Sequence, residues 1–162
     1  MSKVLIISAT KGSNFTLANK LGDLFNCKKK IISLEDFRMP VYTPELDDYD
    51  NSVIKTLSKD FIISDGLIFC APEYNGGSPP ILTNTITWIS VSVPNWRDAF
   101  LNKKALIASH SGGAGFRFLS TFRVQLEHLG AIVYPRNIIV NSGQKFSKPS
   151  AQKILNGFFD IL

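Results

Sequence analysis

Three short stretches hold the residue types that could do chemistry. The first, Ser8-Ala9-Thr10-Lys11-Gly12-Ser13-Asn14-Phe15-Thr16, puts four hydroxyls, one cation and a glycine between an apolar run and an amphipathic stretch. A strand leading into a helix there would aim free backbone amides and the positive end of the helix dipole at one point, which suits an anion. Ser8, Thr10, Ser13 and Thr16 add hydroxyl donors, Lys11 adds charge and Gly12 permits a tight path, a set suited to a phosphate monoester. The spacing is neither G-x-x-x-x-G-K-[ST] nor G-x-G-x-x-G. A hydroxyl-rich loop ahead of a helix is also what an ordinary helix cap looks like, with Ser13 or Asn14 as the capping residue.

The second stretch, Ala71-Pro72-Glu73-Tyr74-Asn75-Gly76-Gly77-Ser78, joins a rigid proline turn to flexible glycines. Such a loop can press backbone amides and carbonyls against a flat heteroaromatic ring, with Tyr74 as an aromatic surface or as part of the core. The third, Ser109-His110-Ser111-Gly112-Gly113-Ala114-Gly115, offers a similar close backbone approach. Of the two histidines, His110 falls in this loop without a visible partner and His128 falls elsewhere, so neither reads as a catalytic base. No catalytic side chain is expected.

The elements that would position these loops follow from periodicity. Apolar runs at residues 4–7, 30–34, 66–71 and 104–109 read as buried strands, and 132–134 with 138–140 as a split fifth. Helices are predicted from about residue 13 to 26, from Asn51 or Ser52 to about 63, from Pro79 and Pro80 onward, over 116–129, and from 147–150 to the end. Residues 35–50 carry two prolines and two tyrosines without a period and read as a long surface loop. Strands alternating with helices imply an α/β fold in three layers, with a five-stranded parallel sheet in the order 2-1-3-4-5. Ligands bind such sheets beyond the carboxyl ends of the strands, where all three loops would lie.

At 162 residues the chain is expected to form one domain. Its opening residues are too short an apolar run for a signal peptide or a membrane span, so a cytoplasmic place is expected, with no membrane partner. Cys27 and Cys70 lie in or beside apolar runs and read as structural thiols. The net charge of +5 would favour an anionic partner. Basic and aromatic residues do not interleave, however, so nucleic acid is not expected, and Lys28-Lys29-Lys30 reads as a solvated strand entrance. Asn95-Trp96-Arg97 suggests a lid, an interface or a core tryptophan.

Pro72, Glu73, Tyr74, Asn75 and Gly76, followed by Pro79, Leu82, Asn84 and Trp88, resemble the P-E-Y-N-G-x-x-P-x-x-L-K-N-x-x-D-W block of the NADPH-dependent FMN reductase family. The hydroxyl-rich first loop is similar to that family's phosphate loop, as are residues 34–44 with Pro40 and Tyr42. Arg117, Leu126 and residues 129–131 resemble the family's helix after the third loop. The resemblance implies a flavodoxin-like domain that binds FMN and takes electrons from NADPH or NADH in a ping-pong cycle. It implies FMN contacts at Ser8, Thr10, Lys11, Ser13, Asn14, Phe15 and Thr16, at Pro72, Glu73, Tyr74, Asn75 and Gly76, and at Ser111, Gly112 and Gly113. Its acceptor would be a small molecule such as a flavin, quinone, azo compound or metal oxyanion. It further implies a homodimer or tetramer, with Tyr42, Tyr74 and the Trp88 helix near the interface.

The chain departs from the family pattern in places. Lys11 stands where arginine is usual, which keeps the charge and loses the bidentate fork. Thr83 and Thr87 replace the block's lysine and aspartate, and Ala114-Gly115 replaces paired glycines. A flavodoxin-type electron carrier is the competing reading, although carriers tend to be acidic and this chain is basic. A fold that has lost its flavin and serves as an interaction protein is a third.

Overall fold

The computed structural model describes residues 2–46, 49–50 and 52–162. Strands β1 (Lys3–Ser8), β2 (Lys28–Ser33), β3 (Gly66–Cys70), β4 (Lys104–His110), β5 (Ile132–Val133) and β6 (Ile138–Val140) alternate with five helices. These are α1 (Ser13–Gly22), α2 (Ser52–Ile62), α3 (Pro80–Ser92), α4 (Phe116–His128) and α5 (Lys148–Phe159). All pairings are parallel and the order is β2-β1-β3-β4-β5, with β6 also on β4. The predicted topology is therefore correct. The split fifth strand is two short strands on the same side of β4, β5 against Lys104 and Ala105 and β6 against Ala108 to His110.

Alternation along each central strand feeds two cores. Val4 and Ile6, Ile68 and Cys70, and Leu106 and Ala108 pack with Leu17, Leu21, Leu155 and Phe158 of α1 and α5. Leu5 and Ile7, Leu67 and Phe69, and Ala105 and Ile107 pack under α2, α3 and α4. Because both faces are covered, the strands read as unbroken apolar runs, which is why the sequence locates them well. In the second core the fully buried Phe122 meets Phe69 edge-on at 5.1 Å and stacks with Phe118 at 5.4 Å.

Two expectations need correction, and the structure decides a third that the sequence leaves open. The cap of α1 is Gly12, at φ 77 and ψ −130 with no side-chain hydrogen bond, and not Ser13 or Asn14. That backbone state suits only glycine, and the Asn14 side chain is engaged elsewhere. Strand β2 begins two residues earlier than predicted, because its register pairs Lys3 with Lys28, and Leu34 has already turned into the 3-10 turn Leu34–Asp36. Its first three residues, the lysine run, are exposed. Lys29 Nζ donates to the Phe25 carbonyl at 2.8 Å and also to that of Gly22, closing the carboxyl end of α1. Third, Trp96 lies in the 3-10 turn Trp96–Ala99 between α3 and β4, hence at the amino edge of the sheet. It packs half-buried on the second core with the Arg97 guanidinium 4.6 Å over its ring, so it cannot cover the carboxyl-edge loops of its own chain.

The proposed start of α2 at Asn51 lies outside the described residues, as do Asp47 and Asp48 of the long loop, whereas Ser52 does open that helix. No described helix is long and apolar enough to cross a membrane. Replacing Phe122 by alanine removes a fully buried ring between two others and is expected to lower the unfolding free energy by about 3–5 kcal/mol, read by urea titration.

Candidate functional site

Loop one leaves β1 at Ser8, which is fully buried and donates its hydroxyl to the Thr10 carbonyl at 2.6 Å. That hydroxyl's proton is spent on the loop's own turn. Ser13 and Thr16 are exposed, Thr10 and Phe15 are half-buried, and the first bond inside α1 runs from Thr16 N–H to the Gly12 carbonyl at 2.9 Å. The amides of Ser13, Asn14 and Phe15, in the first turn, have no partner within the helix and no cap. A cavity of about 330 Å³ opens beside them, lined by Gly12, Ser13, Thr16, Lys20, His110 and Phe146.

Asn14 is buried, and its side chain is already engaged. Its carboxamide accepts from the His110 backbone N–H at 2.9 Å and donates to the His110 carbonyl at 2.9 Å, tying loop one to the end of β4. Lys11 is exposed and also engaged. Its Nζ is 2.6 Å from Asp36, which holds its pKa above the ordinary lysine value through the hydrogen bond and the charge. Its backbone N–H donates to Glu35.

Loops two and three are joined in the same way. Pro72 is buried, and the Glu73 backbone N–H donates to Ser111 Oγ at 2.8 Å. The Glu73 carboxylate accepts from the Phe118 N–H at 3.0 Å, capping α4. Ser111 Oγ lies 2.9 Å from Ser109 Oγ. Tyr74 and Gly77 exchange both backbone bonds across a two-residue turn, with Asn75 at φ 50 and Gly76 at φ 76. This is the Asn-Gly type I′ turn, in which both central residues need positive φ. Tyr74 is about half exposed, and a Cβ on Gly76 would sit 3.1 Å from Arg117 Cδ. Gly112 and Gly113 are exposed and face open space.

The residues of α3 that resemble the family block serve the long loop. Asn84 donates to the Pro40 carbonyl at 2.9 Å and accepts from the Tyr42 N–H at 2.9 Å, while Trp88 Nε1 donates to the same Pro40 carbonyl at 2.8 Å. Tyr42 and Tyr49 lie 5.2 and 5.7 Å from the Trp88 ring. Trp88 is only 1% exposed, so its role here is to seat Pro40, Tyr42 and Tyr49.

The structure thus brings all three loops to one edge. It leaves Ser13, Thr16, Tyr74, Asn75, Gly112 and Gly113 accessible, and commits Asn14, Glu73 and Ser111 to joining loops. Sequence reasoning missed Glu35 and Asp36; the available signal was two acids directly after the strand that neighbours β1. Burial pushes the thiols of Cys27 and Cys70 upward in pKa, as expected of structural cysteines. The described residues include no group of His, Cys, Asp or Glu able to hold a metal ion.

Comparison with known proteins agrees with this geometry. The chain is 23% identical over 144 residues to an NADPH azoreductase of Bacillus sp. (strain OY1-2), covering 86% of this chain and 76% of that one. It is 25% identical over 116 residues to a 2-hydroxy-1,4-benzoquinone reductase of Burkholderia sp., covering 72% of this chain and 60% of that one. Its fold matches FerB, a flavoenzyme NAD(P)H:(acceptor) oxidoreductase from Paracoccus denitrificans, with a TM-score of 0.81 at 19% identity over 99% of this chain and 96% of that one. The model of the NADPH-dependent FMN reductases matches residues 2–145. The chain belongs to that family, and is a flavin-dependent NAD(P)H oxidoreductase.

Proposed function

We propose that FMN sits at the carboxyl edge of the sheet, with its phosphate at loop one and its ring against loops two and three, and that the enzyme passes electrons from NAD(P)H to a quinone or azo compound. The observation that carries this reading is the joining of the three loops into one rim by Asn14 and Ser111, beside an uncapped helix start. The donor set fits the group. The amides of Ser13, Asn14 and Phe15 with the hydroxyls of Ser13 and Thr16 suit a phosphate, and Lys11 and Thr10 border it. Tyr74, Asn75, Gly76, Gly112 and Gly113 offer backbone and an aromatic face to a planar ring.

FMN supplies the chemistry when bound, accepting a hydride from the nicotinamide and giving electrons to the acceptor. The protein's share is placement. Asn14 fixes the distance between the phosphate loop and loop three, and Glu73 holds loop two against α4. The Asn75-Gly76 turn presents Tyr74 at the rim. The names of the relatives favour a flat conjugated acceptor, because a compound that stacks on the same ring needs no further binding pocket.

The working form is a homodimer. Val41, Tyr49 and Tyr74 on the loops and Phe116 at the start of α4 are apolar or aromatic and 77%, 44%, 49% and 68% exposed, more apolar surface around this edge than a monomer needs to show water. Light scattering of the FMN-loaded protein is expected to give twice the chain mass of 18.0 kDa; a monomer would refute the dimer.

The functional reading is tested by adding FMN, removing the excess, and titrating anaerobically with NADPH. The oxidised flavin bands are expected to bleach and to return on adding a benzoquinone. Bands that stay oxidised with both NADPH and NADH would sink the proposal. Asn14→Ala strands two partly buried backbone groups and is expected to cost about 1–3 kcal/mol of stability and to weaken FMN binding. Equilibrium unfolding and flavin titration check the two effects separately, and an unchanged FMN affinity would remove Asn14 from the site's support.

A further inference from the structure

Strands β1 and β2 are parallel neighbours that end in register at Ser8 and Ser33, so the turn after β2 stands beside loop one. Leu34 is fully buried and its carbonyl accepts from the Phe37 N–H at 3.0 Å, which pins that turn. The two residues after Leu34 are acidic. Glu35 accepts from the Lys11 backbone N–H, and Asp36 pairs with the Lys11 ammonium at 2.6 Å. Loop one and its neighbour therefore carry two negative charges against the single positive charge of Lys11. An anion that reaches the Lys11 amide must displace one carboxylate, and it shares the ammonium with the other.

We propose that Glu35 and Asp36 act as a built-in competitor for the FMN phosphate, loosening the hold on that group and narrowing the preference for FMN over riboflavin. The inference rests on loop one being the phosphate site. It makes the flavin an exchangeable ligand, because the loop has its own anion to take back when the phosphate leaves. A lysine suits this arrangement better than an arginine would, since a guanidinium could pair bidentately with the phosphate and keep a donor for Asp36.

Two unit charges 4 Å apart interact by about 1 kcal/mol in water, which corresponds to about fivefold in affinity for each carboxylate. The test is a fluorescence titration of FMN and of riboflavin into the wild-type chain, Glu35→Gln and Asp36→Asn, at low and at high salt. Each variant is expected to bind FMN about fivefold more tightly at low salt, with riboflavin affinity unchanged and the gain reduced at high salt. FMN affinity that is unchanged or weaker in both variants overturns the inference, as does equal tightening for riboflavin. If Glu35→Gln does not fold, Asp36→Asn decides through the Lys11 ammonium. Wild-type protein that binds neither flavin overturns the loop-one reading and the inference with it, whereas wild-type binding of both flavins with no response in the variants overturns the inference alone.

Discussion

Every strand of a parallel sheet ends at the same edge, so the peptide groups that follow β1, β3 and β4 crowd together and must satisfy one another. The first residue beyond each strand extends the ladder by one rung. Ala9 donates to the Cys70 carbonyl at 2.9 Å, Ala71 to Ala108 at 3.1 Å, and Ser111 to Val140 at 3.1 Å. Beyond that rung the chains diverge and side chains take over. Asn14 reaches His110, Ser111 receives Glu73, and Glu73 reaches Phe118. The rim is held together because unpaired buried backbone is costly, and what these bonds leave unpaired is what a ligand can use.

The same logic explains what could be read from the sequence. The strands are legible because both faces are covered, and the helices because one face is. The type I′ turn is written in Asn75-Gly76. Asn14 was not legible in the same way, since an asparagine at a helix start is equally suited to capping, to a ligand or to a distant backbone, and only the tertiary position of His110 decides. Glu35 and Asp36 show only as two acids after a strand, a common loop pattern, and their meaning comes from the register of β2 beside β1. The sequence around Trp96 reads equally as lid, interface or core because loops after helices and loops after strands look alike in composition while lying at opposite edges, and its packing on the second core decides.

The long P-E-Y-N-G block divides into two kinds of residue once seen in space. Its first half forms the rim, and its second half, Asn84 and Trp88, converges on the carbonyl of Pro40. Both halves are borne by α3 and the turn that feeds it, so the tyrosine-bearing turn and the Pro40 to Tyr42 segment are positioned from a single rod. A shift of α3 would move both walls of the edge together and preserve their spacing.

The lysine run at the start of β2 has a consequence apart from any ligand. β2 is the outermost strand on its side and offers open peptide groups to any other extended chain, but Lys28, Lys29 and Lys30 stand exposed along half its length. Lys29 is turned to the end of α1 and Lys30 is paired with Asp60 at 2.6 Å, so a second copy approaching to add a strand would have to bring long, charged and already engaged side chains together. The row is therefore of the kind that discourages edge-to-edge pairing at an outer strand.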